Sequence, residues 1–524
     1  MPKFFFQKKH FPIKLFIIWI SSVSMSFVVL AVLLQYALNS NKNFSLSGSC
    51  KNCNVVIIDI DVLRADAIDC KNKYNNTPNI CRFANNSVYF QSNISQSYQT
   101  FPSFVSFMTS LYPVSHNMNT PFRDHLNNAI LTLSALFKNN GYKTIFIGPT
   151  KSIWLIYDGF DSIINYPSLF NQKNSLTQLV NGISLNQPFL LYIYSPDIHD
   201  PYLLPENITK QILLPKLPAG IDKKIPKNRE EQKKNYNEYI IKYYIDIFSP
   251  EAINRNKNIF QNTGANKDKI IDLYYGYLDT KNYAMFKDVW KPYRESYFRY
   301  IDINNPIHIN YLKSNYYTSL NLVDQELSAL FLLLNSEEVA KNTIVIIRSD
   351  HGEEFMEHGK ILHEDFLYQE LIHTPLIIKI PYAQPARIKG FSQDIDVFPT
   401  LLDLIGIAPI KQLQGKSLVP LMENNKIAVN DYQISQQWDN TNAIFRKGDW
   451  KLFIQNEKPF MLFNLAIDPG EKNNVLKSHI ELAGNMLKEY KQILDPLKKY
   501  SSNPTFPDWI DPEKRKRLIK EGYF

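Results

Sequence analysis

Two apolar segments of the chain end in acidic and imidazole side chains that could bind a metal ion. The run Ile344–Ile347 leads into Ser-Asp-His-Gly-Glu at Ser349–Glu353. The run Asn54–Asp61 is a second strand candidate, and alternation along it places Asp59 and Asp61 on one face. Carboxylates and imidazoles at the carboxyl ends of strands can bind a hard or borderline cation. These two segments therefore predict a metal site.

A third segment supplies a hydroxyl group. Thr100 is followed by Phe101-Pro102-Ser103, where a helix can begin. The N-terminus of a helix favours anions. Threonine is also a common helix cap. A nucleophile and a helix cap are therefore both possible roles for Thr100, and they are compatible in space.

These three segments, in this order, resemble the sulfatase family of the alkaline-phosphatase superfamily. Further stretches with the same resemblance are Pro188–Tyr192, His199–Tyr202, His358–His363, Tyr368–Pro375, Asp394–Asp403, Gly415–Leu418, Arg446–Leu452 and Asn464–Glu471. The resemblance covers nearly the whole chain. It implies an α/β fold with a large, mostly parallel sheet flanked by helices, alkaline-phosphatase/sulfatase-like, and a small C-terminal α+β subdomain.

The resemblance also implies a metal site. Its ligands would be Asp61, Asp350 and His351, with help from the hydroxyl of Thr100. Asp59 would be either a further oxygen ligand or a neighbour that orients a ligand. We expect one divalent cation, calcium or magnesium first, with zinc or manganese as alternatives, because this mixed ligand set does not decide between them.

Three histidines match family positions that contact the transferred anion or protonate its leaving group. They are His116, His199 and His363. Further candidates for contact with the anion are His358, Lys313 and Lys360. Arg64 is left out of the expected site, because an arginine in such a strand-end turn more often packs or pairs with an acid.

One departure from the family changes the expected chemistry. Sulfatases carry Cys, sometimes Ser, where this chain has Thr100, and convert it to formylglycine. Oxidation of threonine would give a ketone, so we expect no formylglycine. The arginine that usually follows Pro-Ser is Phe104 in this chain. Thr100 is instead expected to act directly, as an alkoxide activated by the cation.

The resemblance and this departure lead to three hypotheses for function. The first is a metal-dependent hydrolase of sulfate or phosphate esters with Thr100 as covalent nucleophile. The second is a cell-envelope transferase that passes the phosphoryl group to an acceptor alcohol. The third is a catalytically degenerate, sulfatase-like protein that binds anionic glycans or partners. The retained ligand set favours the first hypothesis.

Composition excludes nucleic acid as the expected partner. The chain has 524 residues, 44% of them hydrophobic, and a net charge of +8. Its lysines are dispersed among Asn and Tyr and do not form the basic cluster that nucleic-acid binding needs. The expected partner is an anionic ester, as a glycan, a lipid or a small molecule.

The N-terminal segment predicts membrane attachment. Residues 15–38 carry no charge and are long enough to cross a hydrocarbon layer of about 30 Å. The preceding residues 1–14 carry Lys3, Lys8, Lys9 and Lys14, which favour a cytoplasmic N-terminus. We expect a single-pass signal anchor with the catalytic domain outside the cytoplasm. A cleaved signal peptide is the alternative, and it implies export as well.

The rest of the chain divides by composition. We expect a linker at 39–53, a catalytic domain at 54–429 with a variable insertion at 203–310, a C-terminal subdomain at 430–500 and a tail at 501–524. The four cysteines lie close together just after the anchor, at Cys50, Cys53, Cys70 and Cys81. In an exported protein this favours two structural disulfides, although the spacing leaves the pairing open and a redox-active or zinc-binding pair is an alternative.

Overall fold

A computed structural model describes residues 45–71, 76–118, 124–149, 159–166, 168–170, 176–181, 187–200, 202, 301–363, 366–437, 441–500 and 503–504. The predicted anchor at 15–38 and most of the predicted insertion at 203–310 lie outside these residues. Within them, no helix combines the length and apolar character needed to span a membrane.

Strands alternate with helices through the first part of the chain. The strands of its last part follow one another and form a small sheet. The strands in the described ranges are β1 (Asn54–Ile60), β2 (Val88–Ile94), β3 (Asp124–His125), β4 (Lys143–Gly148), β5 (Ser162–Asn165), β6 (Phe189–Ser195), β7 (Thr343–Arg348), β8 (Glu354–Phe355), β9 (Ile361–Leu362), β10 (Leu376–Lys379), β11 (Ala386–Gln393), β12 (Tyr432–Gln436), β13 (Asn442–Lys447), β14 (Trp450–Gln455), β15 (Lys458–Asn464) and β16 (Asn503–Pro504).

The helices flank this framework. Those in the described ranges are α1 (Pro78–Asn85), α2 (Thr100–Thr109), α3 (Pro113–His116), α4 (Leu133–Asn139), α5 (Leu176–Asn181), α6 (Pro306–Leu334), α7 (Glu337–Ala340), α8 (Gln369–Ile372), α9 (Val397–Ile405), α10 (Val419–Glu423) and α11 (Ile480–Leu494). Helix α9 shows clear end signals. A capping box between Gln393 and Asp396 precedes it, and Gly406 ends it with φ of 74°.

The main sheet has the strand order β11-β2-β10-β7-β1-β6-β4-β5. Strand β10 runs antiparallel to its two neighbours, and the other neighbouring pairs are parallel. The central strands β1 and β7 consist mostly of β-branched residues and are almost wholly buried, as expected for strands that are covered on both faces. The prediction of an α/β fold with a large, mostly parallel sheet is therefore confirmed, with one antiparallel strand added.

Helix α6 covers one face of the sheet. Its buried apolar residues recur every three or four positions, at Leu312, Tyr316, Leu320, Val323, Leu327, Leu330 and Leu334. They pack with strand residues such as Val56 and Ile347 in one core cluster. The apolar spacing of residues 317–333 is itself typical of a helix, and the structure begins that helix earlier, where Asn305 caps the N–H of Ile307 just before Pro306.

The C-terminal part of the chain forms its own small layer. Strands β12, β13, β14 and β15 make an antiparallel sheet in sequence order, and α11 packs on it. Buried glutamines connect this layer to the main sheet, for example through Gln433 Nε2, which donates to the carbonyl of Ser392 at 2.9 Å. This arrangement agrees with the expected C-terminal α+β subdomain.

Both disulfides are present, with pairings Cys50–Cys53 and Cys70–Cys81. Cys50 and Cys53 are buried, in agreement with a structural disulfide and not with a redox-active or zinc-binding pair. They lie at the end of the predicted linker, where Cys50 N donates to the carbonyl of Leu404 at 3.0 Å. The last residues of that linker are thus fixed to helix α9.

Candidate active site

The expected metal ligands lie where two central strands of the sheet end. Strands β1 and β7 are parallel neighbours, so the residues that follow them meet at one edge of the sheet. Asp61 follows β1 directly, and Asp350 and His351 come just after Arg348, the last residue of β7. Open α/β sheets place their ligand sites at this edge.

The candidate ligand atoms of Asp61, Asp350 and His351 converge. His351 Nε2 lies 3.6 Å from Asp61 Oδ1 and 3.7 Å from Asp350 Oδ2. Both oxygens are buried and have no hydrogen-bond partner in the described part of the chain. Buried carboxylate oxygens without partners are costly, and two carboxylates with one imidazole suit a divalent cation. The residues present therefore fit the expected cation.

The protonation state of His351 suits a metal ligand. Its Nδ1 lies 2.9 Å from the carbonyl oxygen of Gly352, which can only accept, so Nδ1 carries the ring hydrogen. Burial lowers the pKa of His351 from 6.5 to about 3. The imidazole is therefore neutral at physiological pH, and Nε2 presents a lone pair to the site.

The two carboxylates need positive charge between them. Burial and the nearby Asp350 raise the pKa of Asp61 well above its usual value. Carboxylates this close ionise together only when a cation or several donors stabilise them. A bound divalent cation would supply that charge, so the electrostatics and the geometry agree.

Thr100 reaches the same point from another element. It is the first residue of helix α2, and its Oγ1 lies 3.2 Å from His351 Nε2. Because Nε2 carries no hydrogen, the Thr100 hydroxyl is the donor. The capping residue of α2 is Gln99, so the alternative interpretation of Thr100 as a helix cap is not supported. A hydroxyl at a cation site and a helix N-terminus is suited to attack an anionic ester.

Asp59 faces a different set of partners. Its Oδ2 accepts hydrogen bonds from the Tyr192 hydroxyl and from Arg348 Nη1. It does not join the group formed by Asp61, Asp350 and His351, whose ligand atoms lie within 4.8 Å of one another. Its Oδ1 is buried and has no hydrogen-bond partner in the described part of the chain, so both roles expected for Asp59 stay predictions.

His363 lies beside the expected metal ligands. Its ring centroid is 4.5 Å from that of His351. Its Nδ1 lies 3.0 Å from Glu353 Oε1, and the Tyr202 hydroxyl donates to Glu353 Oε2 at 2.7 Å. A buried carboxylate thus orients the His363 ring through Nδ1, which leaves Nε2 as the atom to approach a substrate.

His199 completes the histidine group. Its ring centroid lies 5.1 Å from that of His363, and its Nδ1 is 2.8 Å from Asp200 Oδ1. Burial alone would lower the pKa of His199, but the carboxylates of Asp200 and Asp61 raise it well above 6.5. An imidazole that keeps its proton at neutral pH is suited to protonate a leaving group.

His116 does not take part in this group. It is fully buried, and Met118 N donates to its Nδ1 at 3.0 Å. Its Nε2 therefore carries the hydrogen and lies 3.0 Å from Ser106 Oγ. Burial lowers the pKa of His116 from 6.5 to about 3. Both ring nitrogens make hydrogen bonds within the protein, one to α2 and one to the residues just after α3. We therefore correct the expected catalytic role of His116 to a structural one.

The remaining candidates for contact with the anion are His358, Lys313 and Lys360. The His358 ring stacks on Tyr368 with 3.5 Å between centroids, and its Nδ1 lies 2.5 Å from Glu370 Oε1. Lys313 Nζ lies 3.5 Å from Glu357 Oε1. Lys360 is exposed between β8 and β9.

Arg64 was left out of the expected site, and its contacts agree with that choice. Its guanidinium forms two bonds to the Asp66 carboxylate, at 2.8 and 2.7 Å. A third bond, of 2.9 Å, runs to Glu357 Oε1. The guanidinium of Arg64 is thus paired with Asp66 and Glu357, and it connects the turn after β1 to the segment after β8.

Sequence reasoning missed the residues behind the site. The Tyr194 hydroxyl donates to Asp61 Oδ2, and Arg348 contacts Asp59 from the end of β7. Phe104, at the position of the missing arginine, packs edge-on against Tyr192 with 5.2 Å between centroids. The available signal was the two-residue spacing of Tyr192 and Tyr194 in β6, which matches that of the acids in β1.

Comparisons with known proteins agree with this architecture. The family described as Sulfatase matches residues 53–407, and the N-sulphoglucosamine sulphohydrolase C-terminal family matches residues 357–499. Arylsulfatase K of Mus musculus is 28% identical over 202 residues, which are 36% of either chain. N-acetylglucosamine-6-O-sulfatase of Bacteroides thetaiotaomicron is 27% identical over 223 residues, 40% of this chain and 38% of that protein. The chain thus spans just over a third of the length of these curated relatives.

Solved structures share the fold. A structure in complex with its substrate D-glucosamine-2-N,6-O-disulfate has a TM-score of 0.59 and 19% identity, covering 84% of this chain and 98% of that chain. The phosphonate monoester hydrolase of Agrobacterium radiobacter has a TM-score of 0.59 and 17% identity, covering 84% and 95%. With the family match over residues 53–407, the motifs and the sheet lead to one conclusion. This chain belongs to the sulfatase family of the alkaline-phosphatase superfamily.

Proposed function

We propose that this chain is a membrane-anchored, divalent-cation-dependent hydrolase of sulfate or phosphate esters, with Thr100 as its covalent nucleophile. The observation that carries the proposal is the meeting of Thr100 Oγ1 with His351 Nε2 at 3.2 Å, beside the unpaired oxygens of Asp61 and Asp350. A nucleophilic hydroxyl and a set of residues that fits a divalent cation, at one point, are the two parts that this reaction needs.

Asp61, Asp350 and His351 would hold the cation. When bound, a divalent cation lowers the pKa of a neighbouring hydroxyl and offsets negative charge on an ester. The protein supplies what surrounds it. The N-terminus of helix α2 contributes the positive end of the helix dipole. Because the ends of the strands are buried, solvent screens the charges of the site only weakly.

In the covalent step Thr100 Oγ bonds to phosphorus or sulfur, and the bond to the ester oxygen breaks. The hydroxyl proton of Thr100 passes to solvent, and the departing oxygen receives a proton from His199 or His363, which regains one from solvent before the next turnover. Asp200 and Glu353 contact these two rings at Nδ1, so Nε2 of each ring is the atom proposed for this proton transfer. Water then hydrolyses the ester on Thr100 and returns the free hydroxyl.

The substrate we propose is an anionic ester on a sugar or a small molecule. Two relatives act on such compounds by name, an N-acetylglucosamine-6-O-sulfatase and a phosphonate monoester hydrolase. Because Thr100 cannot become formylglycine, we expect phosphodiesters and phosphonate monoesters to be better substrates than aryl sulfates.

Substitution of Thr100 tests the mechanism. Thr100→Ala should lower turnover by at least about a thousandfold, because a nucleophile and its activation are lost together. The substrates are an aryl sulfate, a phosphate monoester and a phosphodiester, each with calcium, magnesium, manganese and zinc. Thr100→Ser, which keeps a hydroxyl, is the matched control and should retain activity.

Mass spectrometry of the enzyme trapped with a slow phosphodiester should show a phosphoryl group on Thr100. Full turnover by Thr100→Ala would instead indicate direct attack by water and overturn the covalent mechanism. If no ester is cleaved by the parent with any of the four cations, the chain is a binding protein that has kept the sulfatase fold.

A further inference from the structure

Two neighbouring tyrosines of strand β6 contact the two acids of strand β1 in the same way. The hydroxyl of Tyr192 donates to Asp59 Oδ2, and the hydroxyl of Tyr194 donates to Asp61 Oδ2. In the parallel register, Ile57 lies opposite Tyr192 and Asp59 lies opposite Tyr194. Each tyrosine therefore reaches the acid two residues beyond its own partner, and the two contacts are repeats of one geometry.

The Oδ1 of each acid is buried and has no hydrogen-bond partner in the described part of the chain, so it is the surroundings of the two acids that set the pairs apart. Asp61 Oδ1 lies 3.6 Å from His351 Nε2, within the proposed cation site. Asp59 lies outside that group, and its Oδ2 also accepts from Arg348 Nη1, which lies 3.3 Å from the Tyr192 hydroxyl. One pair thus borders the ligand set, and the other pair is neutralised by a buried arginine.

We propose that Tyr194 is a positioning residue for the cation site, because its hydroxyl fixes Asp61 Oδ2 and so presents Oδ1 to the cation. The inference rests on the cation site of the proposed function. A carboxylate without this bond can rotate and share its charge between both oxygens. The bond removes that freedom before the cation arrives, as partners of metal ligands do in other sites.

Burial makes the Tyr194 hydroxyl hard to replace. Tyr194 is 4% exposed and Asp61 is 2% exposed, so water has little access to Asp61 Oδ2. Loss of the hydroxyl would leave that oxygen unpaired in the protein interior. The Asp61 carboxylate would then be free to rotate, and its Oδ1 would no longer be held towards the cation.

The experiment compares Tyr194→Phe with Tyr192→Phe in the full-length protein. Both changes remove one buried hydroxyl from a tyrosine of β6 that contacts an acid of β1, so they match in chemistry and burial. Ca²⁺ is titrated into each cation-free protein by calorimetry, and the titration is repeated with Mn²⁺. Urea unfolding without cation reports the stability of each variant.

We expect Tyr194→Phe to weaken Ca²⁺ binding by about 10- to 100-fold, the usual loss when a partner of a metal ligand is removed. Tyr192→Phe should lose comparable stability and keep the Ca²⁺ affinity of the parent. Tyr194→His, which restores a ring N–H donor, should bind Ca²⁺ more tightly than Tyr194→Phe.

Two results would overturn the inference alone. One is parental Ca²⁺ affinity in Tyr194→Phe, and the other is an equal loss of affinity in Tyr192→Phe, which would give both hydroxyls a general structural role. If the parent binds neither Ca²⁺ nor Mn²⁺, the titration is extended to Mg²⁺ and Zn²⁺, and absence of binding of all four cations would overturn the cation site of the proposed function together with this inference.

Discussion

A single arginine balances much of the negative charge behind the site. Arg348 is fully buried and divides its guanidinium between Asp59 and Asp394, with Nη2 at 2.7 Å from Asp394 Oδ2. Its charged carbon also lies 4.2 Å from the centre of the Phe107 ring. The planar, two-sided donor set of arginine suits this place, and lysine could not serve both acids in the same way.

Arg348→Met should therefore be strongly destabilising. We expect a loss of about 3–5 kcal/mol in the free energy of unfolding, because two buried carboxylates lose their cationic partner. Urea denaturation measures the effect. The double variant Asp59→Asn with Arg348→Met removes one charge of each sign and should be less destabilised than Arg348→Met alone. Equal or greater destabilisation of the double variant would contradict this electrostatic explanation.

At the residue scale, the sequence identified the groups that carry chemistry but not those that hold them. Asp61, Asp350, His351 and Thr100 belong to recognisable motifs, and the structure brings them together. Tyr194 and other supporting residues act through contacts between strands that are distant in sequence. Local spacing does not encode which strands become neighbours, so these roles needed the fold.

Among the elements, the segment from β8 to α8 is fixed by the loop after β15. His358 Nδ1 lies 2.5 Å from Glu370 Oε1, and its Nε2 lies 3.1 Å from the carbonyl oxygen of Gly470. Gln369 N donates to Glu471 Oε2 at 2.7 Å. The segment held in this way begins just after Glu353, which orients the ring of His363. The C-terminal subdomain thereby supports the histidine side of the site.

This contact should make stability depend on pH. Burial would lower the pKa of His358, but the hydrogen bond to Glu370 raises it above 6.5. A raised histidine pKa stabilises the fold below the unfolded value and loses that contribution as pH rises through the folded value. His358→Gln should cost about 1 kcal/mol on the acidic side of this range and little on the alkaline side.

Urea midpoints of the parent and of His358→Gln, taken across this range, measure the difference. Exposed Lys360→Gln, in the same segment, serves as the control and should leave the pH slope of the parent unchanged. A pH slope in His358→Gln equal to that of the parent would show that His358 does not carry the dependence.

Element positions were predictable where pattern and burial agree. The apolar runs of β1 and β7 end within a residue or two of the expected places, because each is bounded by polar turn residues. The antiparallel direction of β10 was not predictable. Strand direction depends on how the chain crosses between elements, and Leu376–Lys379 has the same composition as a parallel strand.

For the whole molecule, the main prediction concerns the membrane. The uncharged stretch 15–38 and its basic flank lie outside the described residues, so the anchor stands on sequence alone. We expect a catalytic domain outside the cytoplasm (periplasmic, extracellular or luminal) that protease can reach in intact cells or vesicles, with an N-terminus that stays attached. Protease treatment and N-terminal sequencing of the mature protein check this. A mature N-terminus near residue 40 would contradict the anchor and leave export in place.

Hydrogen bonds fix residues 48–50, just before β1, to the end of helix α9, and this has a mechanical consequence. Gly48 N donates to the carbonyl of Asp403 at 2.7 Å, Cys50 N donates to that of Leu404, and the Cys50–Cys53 bridge closes the turn. A pull on the chain before residue 47 therefore acts first on the end of helix α9 and not on strand β1. Tension from a tether would be absorbed there, and Asp61, one residue beyond β1, would keep its place.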